Sequence, residues 1–354
     1  MDIAPFGLER WFAEYEHDAD IMLAESGIRS LPAAAFDLDP GELGYVIPTN
    51  GDPGLRARIA ERYDRSADEV LCTVGTQEAN LLAFLSLLDA GDHAVVVTPT
   101  YQALHAVPEA IADVTRVSLD PPNWTLDIDA VAEAIQSNTQ VVVLNNPNNP
   151  TGRYHDWDTV EAIYDLAVDA GASLLCDEVY RLLADDPLPP VATFENGLST
   201  TSLTKAYGLA GIRFGWLVGD AAVIDAAWQW KDYTTISPTK IGQHVARQAL
   251  DREDEILAES RALAERNHDK VRTFLNEHGL DWLDPVGVNG FVTVPEGFDD
   301  SESFCRQFVE AESVVLAPGS KFGFDQHFRI GFGLPTDELE AGLARLGRFL
   351  ERHA

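Results

Sequence analysis

From about Asp68 to Val218, short apolar runs alternate with amphipathic stretches. That alternation restricts the chain to an α/β fold, a mostly parallel sheet flanked by helices. His93–Thr98 and Gln140–Leu144 are β-branched and bounded by turn residues, as strands buried on both faces should be. Ala172–Asp177, Ser199–Leu203 and Arg213–Val218 follow in the same style. Between them, Gln77–Leu88, Ile128–Gln136 and Trp157–Asp169 carry apolar residues at helical spacing.

The pattern changes after Ser237-Pro238, where a capping hydroxyl and a proline at the first helical position predict a long helix to about Glu277. Beyond it, strands are expected at Gly290–Val294, Val314–Ala317 and Phe328–Gly331, with helices near Ser303–Glu312 and from Thr336. This is a smaller α+β unit, to which the segment before Gly41 is expected to return. The expected division is therefore a large domain over 41–245 and a small one built from 1–40 and 246–354. A chain of 354 residues suits that pairing.

The charge balance excludes several partners. Against 25 basic residues stand 58 acidic ones, a formal charge of −33, and polyanions such as nucleic acid or an anionic membrane need the opposite. The acids are scattered, which fits the solvated surface of a halophile better than an acidic protein-binding face. Cys72, Cys176 and Cys305 are odd in number and lack metal-ligand spacing, so no metal site and a reducing cytoplasm are expected. Neither a secretory leader nor an apolar stretch of membrane-spanning length is apparent.

The chemistry concentrates in a few places, the most specific being the run Ser202 to Arg213. A lone amine, Lys205, stands between a hydroxyl, Ser202, and a guanidinium, Arg213, in a chain with only five lysines. That spacing suits a carbonyl cofactor carrying a phosphate, the amine binding its carbon and the other two holding the anion. Gly75-Thr76-Gln77 opens a helix, so Thr76 either caps it or leaves its N–H groups to a phosphate. Tyr101 follows a strand at the sheet's carboxyl edge, as a ring-stacking platform or a packed loop residue. Asp177 ends an apolar strand, where a carboxylate is costly without a partner such as a protonated pyridine nitrogen. Glu178, next to it, reads as structural or solvent-facing. Arg329 sits in the apolar run Phe328-Arg329-Ile330-Gly331, where a substrate carboxylate or an internal acid would answer it.

In their order these motifs resemble the class I/II aminotransferases, fold type I enzymes that use pyridoxal 5'-phosphate (PLP). Asn145-Asn146-Pro147-Asn148-Asn149-Pro150-Thr151-Gly152 resembles that family's N-P-x-N-P-T-G signature. The resemblance implies that Lys205 carries PLP and that Gly75, Thr76, Gln77, Ser202 and Arg213 hold its phosphate. It further implies Asp177 at the ring nitrogen, Tyr101 on the ring, Asn149 and Tyr180 at the phenolic oxygen, and Arg329 with Asn149 toward the substrate. Tyr45, with Gly51, Leu55 and Arg56, is similar to the stretch whose tyrosine reaches the neighbouring subunit's phosphate, which implies a homodimer with shared active sites. Gly27 matches the glycine that closes over the substrate.

The implied activity is amino-group transfer between an L-amino acid and a 2-oxo acid. The same constellation serves cyclases and β-eliminating lyases. Leu8-Glu9-Arg10-Trp11, Ser26-Gly27 and Lys231-Asp232-Tyr233 resemble the branch that contains capreomycidine synthase, a PLP cyclase. A non-catalytic regulator on this fold is disfavoured, since every chemical position is filled.

Overall fold

The computed structural model of the chain describes residues 2–353. At its centre lies a seven-stranded sheet in the order Val70–Thr73, Gly215–Val218, Gly197–Ser202, Ser173–Asp177, Thr139–Asn145, His93–Thr98, Asp113–Ser118. Gly215–Val218 runs antiparallel to both neighbours, and every other pairing is parallel. Alternate side chains of the inner strands enter two separate cores. Val95, Val142 and Leu174 face one, and Val96, Val143 and Leu175 the other. Burial on both faces is why these strands read as unbroken apolar runs.

Helices cover the two faces, and several begin at an acid placed to cap them. Asp156 accepts from the Thr159 N–H at 2.9 Å to start Trp157–Asp169, and Asp220 accepts from Ala222 at 2.8 Å to start Ala221–Lys231. The edge strand Asp113–Ser118 lies outside the sequence expectation, because Val117 is its one buried residue and four of the six are polar. No helix among the described residues is long and apolar enough to cross a membrane.

The long helix expected after Ser237-Pro238 is two helices, Lys240–Asp251 and Glu253–His278. Arg252 breaks them, with φ −112° and ψ 24°. The cap is Thr239, whose hydroxyl accepts from the Gly242 N–H at 3.0 Å, while the Ser237 hydroxyl donates instead to the Pro238 carbonyl. The expected strand Val314–Ala317 also divides. Val314–Val315 pairs in parallel with Ile21–Met22, and Ala317–Pro318 joins His327–Gly331 and Asn289–Thr293 in a small antiparallel sheet. Trp11 Nε1 donates to the Leu316 carbonyl at 2.9 Å, so the N-terminal segment is fastened to this C-terminal part.

Register in the large sheet sets where its polar groups meet. Asn145 pairs with Asp177, and Asp177 with Thr200, at one level across three parallel strands. Three polar side chains are thereby gathered at the carboxyl edge, where open α/β sheets bind their ligands.

Candidate active site

Asp177 forms the floor of a cavity of about 300 Å³ at that edge. Its carboxylate accepts from Asn80 Nδ2 at 2.9 Å and from the Val179 N–H at 3.3 Å. Burial pushes its pKa up to about 6, against the pull of those two donors and of Lys205. A buried acid in this state favours an added cation beside it. Asn80 is itself fixed by Thr200, whose hydroxyl donates to its Oδ1 at 2.6 Å. Sequence reasoning missed Asn80, although an amide on the inward face of the apolar helix Thr76–Leu87 was a visible signal.

The helix beginning at Thr76 supplies the next wall. Thr76 does not cap it, because Gly75 holds the N-cap position at φ 80° and no side chain caps the helix. The Thr76 hydroxyl is buried without a partner. A side chain at Gly75 would be strained by that φ and would meet Arg213 Nη2 at 2.8 Å. Arg213, itself left-handed at φ 50°, lies over this turn and spends one donor on the Ala210 carbonyl. Ser202 lines the same end, its hydroxyl accepting from the Thr204 N–H at 3.3 Å. An uncapped helix start, a free hydroxyl and a guanidinium together make an anion cradle.

Lys205 reaches the cavity from the loop after Gly197–Ser202. Its Nζ donates to Ser26 Oγ at 2.9 Å and lies 3.5 Å from Glu25 Oε1. Burial works to raise the Glu25 carboxyl, but Lys205, Arg329 and the Ser26 N–H outweigh it and hold it below the usual carboxylate range. Gly27 follows directly, and a Cβ there would stand 3.5 Å from Lys205 Cδ.

Arg329, only 1% exposed, enters from the small sheet. Nη1 donates to Asn149 Oδ1 at 2.9 Å and Nη2 to the Ala24 carbonyl at 2.6 Å, while Nε has no partner. Its hydrogen bonds go to an amide and a carbonyl, so the alternative of an internal carboxylate partner is not what this structure holds. Tyr180 lies nearby with its hydroxyl buried and unpaired. Tyr101 packs its ring on Phe6 at 4.9 Å and donates from its hydroxyl to Glu9 at 2.8 Å.

Ten of the residues expected from sequence therefore line one cavity: Thr76, Gln77, Tyr101, Asn149, Asp177, Tyr180, Ser202, Lys205, Arg213 and Arg329. Gly75 and Gly27 back two of them, whereas Tyr45 stands outside, 72% exposed. Glu178 is buried rather than solvent-facing, and its carboxylate accepts from the Val191 N–H at 2.7 Å. The N-terminal helix Gly7–Tyr15 contributes Leu8, Glu9 and Phe12, and Glu16 follows at its end. Sequence patterning does not mark these four as site residues, because helical amphipathicity alone does not reveal which cavity a helix covers.

A phosphorylated pyridine aldehyde fits this donor set. Asp177 seeks a cation, Tyr180 and Thr76 carry free hydroxyls, the Arg213 turn suits an anion, and Lys205 offers the amine. The comparisons with known proteins agree. Residues 14–346 match the family "Aminotransferase class I and II". A solved PLP-dependent aminotransferase from Streptococcus suis superposes with a TM-score of 0.95 at 30% identity, covering 100% of this chain and 99% of that one. The chain belongs to the class I and II aminotransferase family, whose members are PLP-dependent enzymes. Within it, the chain is 31% identical to capreomycidine synthase from Streptomyces vinaceus, over 98% of this chain and 94% of that protein. It is also 29% identical to LL-diaminopimelate aminotransferase from Dehalococcoides mccartyi, over 88% and 84%.

Proposed function

We propose that the chain transfers an amino group between an L-amino acid and a 2-oxo acid. The observation that carries this reading is the convergence of Lys205, Asp177 and Arg329 on one cavity. Asp177, Asn149 and Tyr180 would hold the cofactor ring, with Tyr101 beside it. Thr76, Gln77, Ser202 and Arg213 would hold the phosphate. When bound, PLP supplies an electron sink for the pair left behind when a bond at the substrate Cα breaks.

The residues of the chain divide the remaining work. Arg329 orients the substrate carboxylate with its planar fork, and Asn149 fixes the fork. The Lys205 amine takes the proton from Cα and returns one, within reach of Ser26 and Glu25, which steady it between transfers. Asp177 would hold a negative charge for the ring nitrogen, where burial strengthens its effect.

Cyclisation is the second reading, favoured by the likeness to capreomycidine synthase over nearly the whole chain. A half-reaction screen separates the two. The purified holoenzyme is mixed with each common amino acid, the cofactor's absorbance is followed, and products are identified by mass spectrometry. Stoichiometric 2-oxo acid with the aminated cofactor supports transamination. A cyclised or eliminated product with the cofactor unchanged overturns it.

The assembly proposed is a homodimer with sites shared between subunits. Leu43, Tyr45 and Ile47 are exposed, as are Tyr233 and Ile236, and the segments that carry them are tied by Trp228 Nε1 donating to Thr49 at 2.9 Å. Exposed large apolar side chains on two segments tied in this way suit a partner copy. The domain division at 41–245 against 1–40 with 246–354, a halophilic surface and a cytoplasmic location complete the proposal. Three free, buried cysteines are compatible with the last.

A further inference from the structure

A second cavity, of about 480 Å³, lies at the same carboxyl edge of the large sheet and shares no lining residue with the first. Thr98 and Ser118, paired in register, end two parallel strands there. Open α/β sheets bind their ligands at this edge. Three parts of the chain meet around the cavity: the strand ends, Pro5 and Gly7 of the N-terminal segment, and residues 320–324 beside the small sheet.

The side chains around it offer donors. Among the described residues no carboxylate lines it, in a chain whose formal charge is −33. Thr100 is only 2% exposed, and its hydroxyl is buried without a partner. Arg116, half-exposed, donates from Nε to Glu109 at 2.6 Å and from Nη2 to His105 Nδ1 at 2.8 Å, which leaves Nη1. A guanidinium only donates, so Nδ1 is the acceptor and the neutral His105 ring carries its hydrogen on Nε2. Burial and Arg116 both favour that neutral ring, against the pull of Glu109. Lys321 Nζ gives one hydrogen to Glu302 at 2.6 Å and keeps two. Glu109 and Glu302 fix the two cations from outside the lining.

We propose that this cavity binds a compact oxyanion, a carboxylate or a phosphate group, held by the free donors of Thr100, His105, Arg116 and Lys321. The occupant joins the three parts of the chain that meet there. Gln102, in the cavity wall, already clamps the N-terminal segment, accepting from the Gly7 N–H at 2.8 Å and donating to the Pro5 carbonyl at 2.9 Å. Gly7 opens the helix that lines the first cavity, and Tyr101, between Thr100 and Gln102, donates to Glu9 of that helix. The bound anion is therefore an effector that steadies the N-terminal wall of the first cavity, not a reactant.

The test titrates the PLP-loaded protein by calorimetry with inorganic phosphate and, in a second arm, with malonate, each at an ionic strength matched with KCl. At least one should bind saturably, and the tighter arm names the group. Thr100→Val is close in shape and removes the unpaired hydroxyl. Without anion it should melt no lower than wild type, because an unpaired buried hydroxyl is costly. It should bind the anion about tenfold more weakly, as should the double variant Arg116→Gln/Lys321→Gln. Arg329→Lys, which alters the first cavity, should leave this binding unchanged. Binding is read directly, so the result does not depend on which reaction the first cavity performs. No saturable binding of either anion overturns the proposal, as does binding that Thr100→Val and the double variant both leave intact. Binding lost in Arg329→Lys and kept in the double variant places the anion in the first cavity and overturns it too.

Discussion

Arg329 donates to Asn149 at 2.9 Å across 180 positions of sequence, joining the small sheet to the Asn-Pro loop of the large one. The contact leaves Nε free, so the guanidinium is held by two of its nitrogens while still able to receive a carboxylate. Arg329→Lys keeps the charge but loses the fork. We expect kcat/KM for amino acids to fall about a hundredfold, near 3 kcal/mol for two weakened charge-assisted bonds. Reaction with simple amines lacking the carboxylate should change much less. Equal losses for both would assign Arg329 a purely structural role.

Asp177 gives a prediction about the protein without cofactor. Its folded pKa, about 6, stands above the ordinary carboxylate value because burial disfavours the charge. The folded state therefore binds the proton more tightly than the unfolded chain. Stability is lost as pH rises through the window from about 4 to about 6, and above it the cost is constant. Asp177→Asn removes the ionisation, so the apo variant should be more stable than apo wild type above pH 6, by about 1–3 kcal/mol. The gain should vanish near pH 4. Denaturant titrations at both pH values check this, and a variant less stable at pH 7.5 would contradict it.

These two residues also show how far sequence reading reaches. Asp177 and Arg329 are legible because a lone charge in an apolar strand needs an explanation, and the loop motif carries Asn149 with it. The parallel strands are legible because burial on both faces leaves each an unbroken apolar run. Asp113–Ser118 escapes because an edge strand buries little. The break at Arg252 escapes because the flanking sequence Ala249-Leu250-Asp251-Arg252-Glu253 contains neither proline nor glycine. Ser26, Glu25 and Glu9 reach the site through tertiary packing of the N-terminal segment, which no local pattern encodes.

The proposed sharing of sites across a dimer is open to a complementation test. Tyr45 is 72% exposed and outside its own chain's cavity. A Tyr45 substitution that nearly inactivates its homodimer should be co-expressed with Lys205→Ala. One site of each hybrid then lacks both groups and the other regains both, so activity should approach half that of wild type per hybrid dimer. No recovery in a verified hybrid, or an active monomer by light scattering, would contradict the shared site.

The formal charge of −33 predicts a salt requirement. Surface repulsion is screened over roughly 3 Å at 1 M salt, against about 10 Å at 0.1 M. Melting temperature and activity should both rise from dilute to molar KCl. Maxima in dilute buffer would contradict a halophilic surface.

Lys205 is, on this account, the amine that carries the cofactor. Lys231 is buried on Thr235, Lys240 donates to the Glu42 carbonyl, and Lys270 and Lys321 pair with Glu340 and Glu302. Of the five lysines, Lys205 alone lines the cavity. Borohydride treatment of the PLP-loaded protein, followed by peptide mapping, should place the pyridoxyl group on Lys205. A label on any of the other four, or no label on a protein that still turns over amino acids, would contradict the account.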